Sequence, residues 1–178
     1  MKDFVILSDF PPNAKAIGPA FDGNVYYSFK KESYFTFNDL LDDDDLREGI
    51  YINQDGDSDC AIGSPLFVVS MVNDEDKLIK FDENVFFQSV LNGNSSLEKH
   101  LMIEPRSIIE KLSALKELAI EEVRRCANAY GCDALWPTHI LYSFDEDSKT
   151  IGYKILGSGF VINNVPNFEK HPELIKLT

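Results

Sequence analysis

Basic charge is scarce in this chain, sulfur is sparse, and no long apolar run occurs. Its 17 lysines and arginines face 30 aspartates and glutamates, a formal net charge of −13. A nucleic-acid binder needs a basic face to displace phosphate counterions, so nucleic acid is excluded as a partner. No stretch approaches the roughly 18 consecutive apolar residues of a membrane-spanning helix. Phe4-Val5-Ile6-Leu7, behind Met1-Lys2-Asp3, is too short for the apolar part of a secretory leader. These absences set the expectation of a cytoplasmic protein with no membrane partner. The 3 cysteines are odd in number and scattered, which suits a reducing compartment and not a disulfide framework. No Gly-x-x-x-x-Gly-Lys occurs, and no Gly-x-Gly-x-x-Gly follows a strand, so the phosphate cradles of nucleotide-binding folds are missing. There is no internal repeat and no low-complexity tract.

With 178 residues the chain is read as a single domain, 1–178, able to bury a core without staples. The most legible part is 105–162. Pro105 suits a first helical turn. After it Ile108, Ile109, Leu112, Leu115, Ala119, Val123, Cys126 and Tyr130 recur at spacings of three and four, the apolar stripe of a helix with one face against a core. Glu110, Lys116, Glu117, Glu121, Glu122, Arg124 and Arg125 make the opposite face, with Glu121 and Arg125 spaced to pair. Gly131 supplies the left-handed residue that commonly ends a helix. The period then changes. Ala134-Leu135-Trp136 and His139-Ile140-Leu141-Tyr142-Ser143-Phe144 read as a strand, bent or bulged at Pro137. Asp145-Glu146-Asp147-Ser148 is a turn, and Thr150 to Leu156 resumes strand character. Gly157 and Gly159 mark a bulge or a close backbone approach.

The segment 30–104 reads as a β-rich insertion. Strands are expected at Tyr34-Phe35-Thr36-Phe37, at Gly49-Ile50-Tyr51-Ile52, at 65–72 and at Leu78-Ile79-Lys80-Phe81, with 65–72 the most hydrophobic and hence central. Before it, Phe4 to Leu7 and Val25 to Phe29 are further strands. Asn38-Asp39 caps a short helix through Leu46, 85–91 fits helix or strand, and 92–96 is a loop. Residues 163–178 form a tail. The fold expected is α/β of the α+β type: a mixed or antiparallel sheet carrying one long helix, plus the insertion.

The run KELAIEEVRRCANAYGCDAL, followed by a strand pair ending ILGSGFVI, resembles the C-terminal half of the YbjQ-like family, whose members carry a heavy-metal-binding label. That family's helix ends near Gly-Ala-Asn-Ala-Val, where this chain has Gly131-Cys132-Asp133-Ala134-Leu135. Its strands close on Gly-Thr-Ala-Val, where this chain has Gly159-Phe160-Val161-Ile162. The segment Ala16-Ile17-Gly18-Pro19-Ala20-Phe21-Asp22-Gly23 is similar to the family's first strand. The likeness covers about a third of the chain, 105–162, and consists of small packing residues. It implies an α/β domain that assembles into a ring-like homo-oligomer.

Residues that could carry chemistry are few. Asp55, Asp57 and Asp59 alternate as calcium ligands do, but Cys60 and Leu66 stand where an EF-hand needs glycine and glutamate. Cys126, Cys132 and His139 are soft or borderline metal ligands near the helix end, although a six-residue step across a helix terminus makes a poor zinc knuckle. For nucleophilic duty, Cys60 among aspartates and Cys132 beyond a helix C-terminus both sit where the thiolate is disfavoured. His100 and His171 stand in polar surroundings. Trp136, Tyr142, Tyr153 and Phe160 crowd one hairpin. Core packing accounts for most of that density; the alternative is an interface or an apolar pocket between subunits, in which these residues and His139 bind the ligand or partner, with Trp136 as the exposed anchor.

The reading these residues favour is a non-catalytic, oligomeric binding module without a cofactor. Its ligand is a protein partner or a small molecule held at subunit interfaces. A second reading is an acidic decoy or inhibitor, of the kind that mimics DNA, offering its carboxylates to a basic protein. A third is a metal-binding protein using Cys126, Cys132 and His139.

Overall fold

The structure, a computed structural model, describes residues 4–8, 10–11, 14–48, 50, 52–53, 61–95, 97–162 and 174–176. The chain opens with β1 (Val5–Leu7), β2 (Ala16–Ser28) and β3 (Ser33–Thr36), then the short helices α1 (Phe37–Asp42) and α2 (Asp44–Arg47). Next come β4 (Ile52–Asn53), β5 (Ala61–Ile62), β6 (Ser64–Val72) and β7 (Leu78–Lys80). Three helices follow, α3 (Glu83–Leu91), α4 (Leu97–Leu101) and the long α5 (Pro105–Ala129). The strands β8 (Ala134–Asp145), β9 (Thr150–Phe160) and β10 (Leu174–Lys176) complete it. No helix among the described residues is long and apolar enough to cross a membrane.

The fold is α+β, as expected. An eight-stranded sheet runs β10-β1-β8-β9-β2-β3, and β6 and β7 continue from the other half of β8's outer edge. All pairings are antiparallel except β1 with β8. The centre is the hairpin β8–β9, joined through the expected acidic turn. The hydrophobic strand β6 is not central: it lies between β8 and the short β7, with most of its residues only half-buried. Segment 30–104 joins the main sheet, since β3 pairs with β2 and β6 with β8, and it also contributes α1 to α4. Residues 85–91 are helical, within α3. Pro137 coincides with a register shift against β9, the expected bulge.

Helix α5 lies across β2 and β9. Ile108, Leu112, Leu115, Ala119, Val123 and Ala127 are fully buried beneath it. Cys126, expected on this stripe, is exposed and Ala127 takes its place. A step of four from Val123 keeps closer to the buried face than a step of three. Tyr130 is likewise exposed, its ring edge-on to Phe21 at 5.2 Å. On the exposed face the ion pairs run Arg124–Glu121 and Arg125–Glu122, three apart, so Arg125 does not take Glu121. Gly131 ends the helix at φ 81°.

The helix sits so close to β2 that a Cβ on Gly23 would overlap the carbonyl oxygen of Ala119. Glycine is required there by space. Farther along, Gly159 leaves room for Phe21 and the Cys132 sulfur. The opposite face of the sheet is covered at two ends. Tyr26, Phe35, Leu40 and Ile62 form one cluster under α1 and β5, and Val5, Leu7, Ala134 and Phe160 form the other.

Gly23→Ala is expected to lower the unfolding free energy by about 3 kcal/mol, because backbone and not a flexible side chain must yield. Leu112→Ala should cost about 2 to 5 kcal/mol as a buried cavity. Urea unfolding followed by far-ultraviolet circular dichroism measures both. A Gly23→Ala protein as stable as the parent would contradict this seating of the helix.

Candidate functional site

The hairpin residues singled out from sequence are mostly core. Tyr142 and Tyr153 face α5, fully or nearly fully buried, with rings 4.9 Å apart edge to face. Phe160 is fully buried on the opposite face. Trp136 shares that face, half-buried beneath Phe10, whose ring meets it edge-on at 5.1 Å. Phe10, at 56% exposure, is thus the exposed aromatic there, and Trp136 is its support. His139 is half-buried on β8, directly opposite Leu156. The five residues therefore do not converge on one ligand.

Cys126, Cys132 and His139 do not converge either. Cys132 packs against Gly159 at one end of the sheet, while His139 lies beyond the Pro137 bulge. Five residues of strand separate His139 from Ala134 alone, about 16 Å at the usual rise. Among the described residues, no group of three or more His, Cys, Asp or Glu side chains forms a metal-ligand set. Both thiols have raised pKa values. Partial desolvation of the Cys126 sulfur raises it although the residue is exposed, with Glu122 and Asp22 adding to it, and burial followed by Asp133 raises Cys132. The direction expected for Cys132 holds, but its first cause is desolvation. Asp55, Asp57, Asp59, Cys60 and His171 lie outside the described residues.

Tyr142 belongs to a polar lock that is buried at its phenol and partly exposed at Lys116. Its hydroxyl donates to Glu83 Oε1 at 2.8 Å, and Lys116 Nζ donates to both Glu83 oxygens at 3.1 and 3.2 Å. Glu83 stands in the first turn of α3, where the helix dipole favours a carboxylate. The lock ties α3, α5 and β8 together. Burial, reinforced by Glu83, pushes the phenols of Tyr142 and Tyr153 far above their ordinary range. Tyr142 is fully buried, whereas Glu83 and Lys116 are partly exposed.

On the opposite face Lys154 is only 6% exposed and stands in register with Asn24 and Leu141. The hydroxyl of Tyr26 accepts from the Ile62 backbone at 3.2 Å. Asn24, Tyr26, His139 and Lys154 are all engaged in polar or ring interactions.

One open groove among the described residues lies at the β3 edge. Of about 160 Å³, it runs between β3–α1 and α5. Val25 and Thr36, cross-strand neighbours on the α5 face, form its floor, Tyr34 and Leu118 its apolar flanks, and Asp39, Glu121, Glu122 and Arg125 its rim. Local chemistry holds each wall. Thr36 is the N-cap of α1: its Oγ1 accepts from Asp39 N at 3.0 Å, and Thr36 N donates back to Asp39 Oδ2 at 2.9 Å. This capping box fixes the turn from strand to helix. On α5, residues 118, 121, 122 and 125 share the flank beside the buried stripe. Glu121 accepts from Arg124 Nε at 2.9 Å, and this bond holds its carboxyl below the ordinary range. Tyr34 is steadied by Tyr27, 4.6 Å away, and Lys111 Nζ lies over both rings at 5.3 and 4.5 Å. Tyr34 and Leu118 remain 38% and 42% exposed. Apolar centre and charged rim are the make-up of a protein interface. Sequence reasoning missed this site. The available signal was Leu118, an apolar residue off the buried stripe and among charges.

Tyr142→Phe should lose about 2 kcal/mol of stability, since it strips a hydrogen bond from a charged acceptor. Because the Tyr142 and Tyr153 phenols ionise far more readily in the unfolded chain, their contribution is whole below about pH 10 and is lost as pH rises above it. An absorbance titration at high pH should leave these two tyrosines protonated until the protein unfolds; full titration of every tyrosine in the native state would contradict this burial. In a Cys60→Ser background, Cys126 should react with a thiol reagent in the folded protein, slowly at neutral pH. Cys132 should react only on unfolding. Compared with known protein families, with curated proteins and with solved structures, the chain matches none.

Proposed function

We propose that this protein is a non-catalytic binding module for a basic protein partner, held at the groove between β3–α1 and α5. The observation that carries the reading is the groove itself, an apolar centre of Tyr34 and Leu118 ringed by Asp39, Glu121, Glu122 and Arg125. Size favours a protein over a small molecule. At about 160 Å³ the groove accommodates a side chain, whereas pockets for drug-sized ligands run from about 300 to 1,000 Å³. Charge favours a basic partner over a second copy of the chain. The rim carries more carboxylates than cations, with Asp39 of α1 among them, and a protein of net charge −13 repels its own copy. The partner-binding role thus moves from the aromatic hairpin to the sheet edge.

The test is titration of a fluorescent arginine-rich peptide at low and high salt. Saturable binding should weaken steeply with salt and fall about tenfold on Glu121→Lys/Glu122→Lys, through repulsion of the peptide's cations. Asp74→Lys/Asp76→Lys, an equal charge change at the turn between β6 and β7, should leave binding within about twofold. Equal loss from both double variants would mean diffuse attraction to a negative surface, and the groove would not be the site.

A further inference from the structure

The carboxylates at the mouth of the groove come from two walls, Asp39 from α1 and Glu121 and Glu122 from α5. Their oxygens are not equally committed. Both oxygens of Glu121 accept from Arg124. Asp39 accepts from the Thr36 amide through Oδ2, and Glu122 accepts from Arg125 through Oε2 at 2.7 Å. Among the described residues, nothing donates to Asp39 Oδ1 or to Glu122 Oε1. Each wall therefore offers one open acceptor. The Glu122–Arg125 pair does not close the mouth. It joins residues three apart, its arginine side chain is 67% exposed, and pairs of that kind contribute little.

Between the walls stand the Tyr34 ring and Leu118. How the ring treats a cation is visible within the chain, since Lys111 Nζ lies over it at 5.3 Å. Lys111 and Tyr27 do not line the groove, so the groove meets Tyr34 on a side that Lys111 leaves open. An ammonium is a compact, strongly hydrated point charge, and entering an apolar slot strips its water. A guanidinium is planar and more weakly hydrated, stacks on aromatic faces, and carries its N–H donors in a rigid fork.

We propose that the groove reads an arginine of the partner protein and discriminates against lysine. The guanidinium lies on the Tyr34 ring against Leu118, with one side of its fork donating to Asp39 Oδ1 and the other to Glu122 Oε1. This rests on the reading of the groove as the site for a basic partner and adds which side chain it selects. Hydrogen bonds between a guanidinium and carboxylates are roughly twice as strong as neutral ones, and the fork adds geometric selectivity. The capping box orients Asp39 before the partner arrives, so ordering that acceptor costs little. On the other wall Arg125 occupies a single oxygen of Glu122, so the carboxylate is shared and not surrendered.

Three capped fluorescent peptides test this on the full chain by anisotropy. They share one glycine–serine framework whose basic residues are arginine in the first, lysine in the second and dimethylarginine in the third. The arginine peptide should bind about tenfold tighter than the lysine peptide, the equivalent of about 1.4 kcal/mol. Dimethylarginine keeps its charge but loses donors, so its peptide should fall toward the lysine value. Tyr34→Leu keeps an apolar flank without the ring; it should weaken the arginine peptide about threefold and leave the lysine peptide nearly unchanged. Asp39→Asn retains an oxygen for the Thr36 amide and should weaken arginine binding about tenfold. Asp42→Asn, the same charge change on α1 away from the groove, should leave it within about twofold. If the arginine and lysine peptides bind alike and both weaken on Glu121→Lys/Glu122→Lys, arginine selection is overturned while the basic-partner reading stands. Equal loss from Asp39→Asn and Asp42→Asn would overturn the two-walled bridge. If no peptide binds, both readings fall.

Discussion

The close seating of α5 on the sheet is the constraint from which the remaining geometry follows. At Gly23 the backbone of β2 approaches the backbone of α5 at Ala119 without an intervening side chain. Around that point the helix buries isoleucine, leucine, alanine and valine at helical spacing, and the sheet answers with Phe21, Val25, Tyr27 and Ile155. Interiors this closely packed transmit small shifts instead of absorbing them. Any residue large enough to lift α5 from β2 would also lift the side chains on its flank.

Those flank positions are where the functional surface arises. Leu118 precedes Ala119 by one residue, and Glu121 and Glu122 straddle the turn before Val123. When Ala119 and Val123 are pinned down, Leu118, Glu121, Glu122 and Arg125 must overhang the edge strand β3. The second fixed wall comes from the chain's local chemistry, the capping box of Thr36 and Asp39 at the start of α1. A lock on the far side of the helix, Tyr142 to Glu83 to Lys116, joins α5 to α3 and β8. A carboxylate with two donors, one of them a buried phenol, is costly to strip of its partners, so it helps hold α5 against sliding as well as lifting. The groove is the by-product of a helix held in place by backbone contact and by a polar clasp.

Much of the architecture was legible because it is periodic. The stripe from Ile108 to Val123, the stop at Gly131, the acidic turn after β8 and the bulge at Pro137 were all visible as spacing or as special residues. The errors have specific physical causes. Cys126 satisfied a three-residue step, yet the helix continued by four to Ala127. Glu121 and Arg125 had the favourable four-residue spacing, but each arginine took a carboxylate three residues back. Residues 65–72 were the most apolar strand, which suggested a central place. In the fold, helix α3 shields one side of that strand, stacking Phe86 on Phe67, while the centre goes to the hairpin β8–β9. Hydrophobicity reports that a residue is covered and not what covers it.

The aromatic hairpin shows where local reading stops. By composition alone, Tyr142, Tyr153 and Phe160 could face solvent, a partner or a core, and aromatic residues are enriched in both of the last two. The sequence by itself determined the long helix, the strand pair with its turn, the acidic surface and the want of a phosphate cradle, because each is written in neighbouring residues. Only the tertiary structure decided that the hairpin is buried, that Cys126, Cys132 and His139 stand apart, and that Tyr34, Asp39 and Leu118 surround one groove. Those outcomes depend on which face of β8–β9 the helix covers and which strand is left at the edge. Both are settled by contacts between segments far apart in the chain.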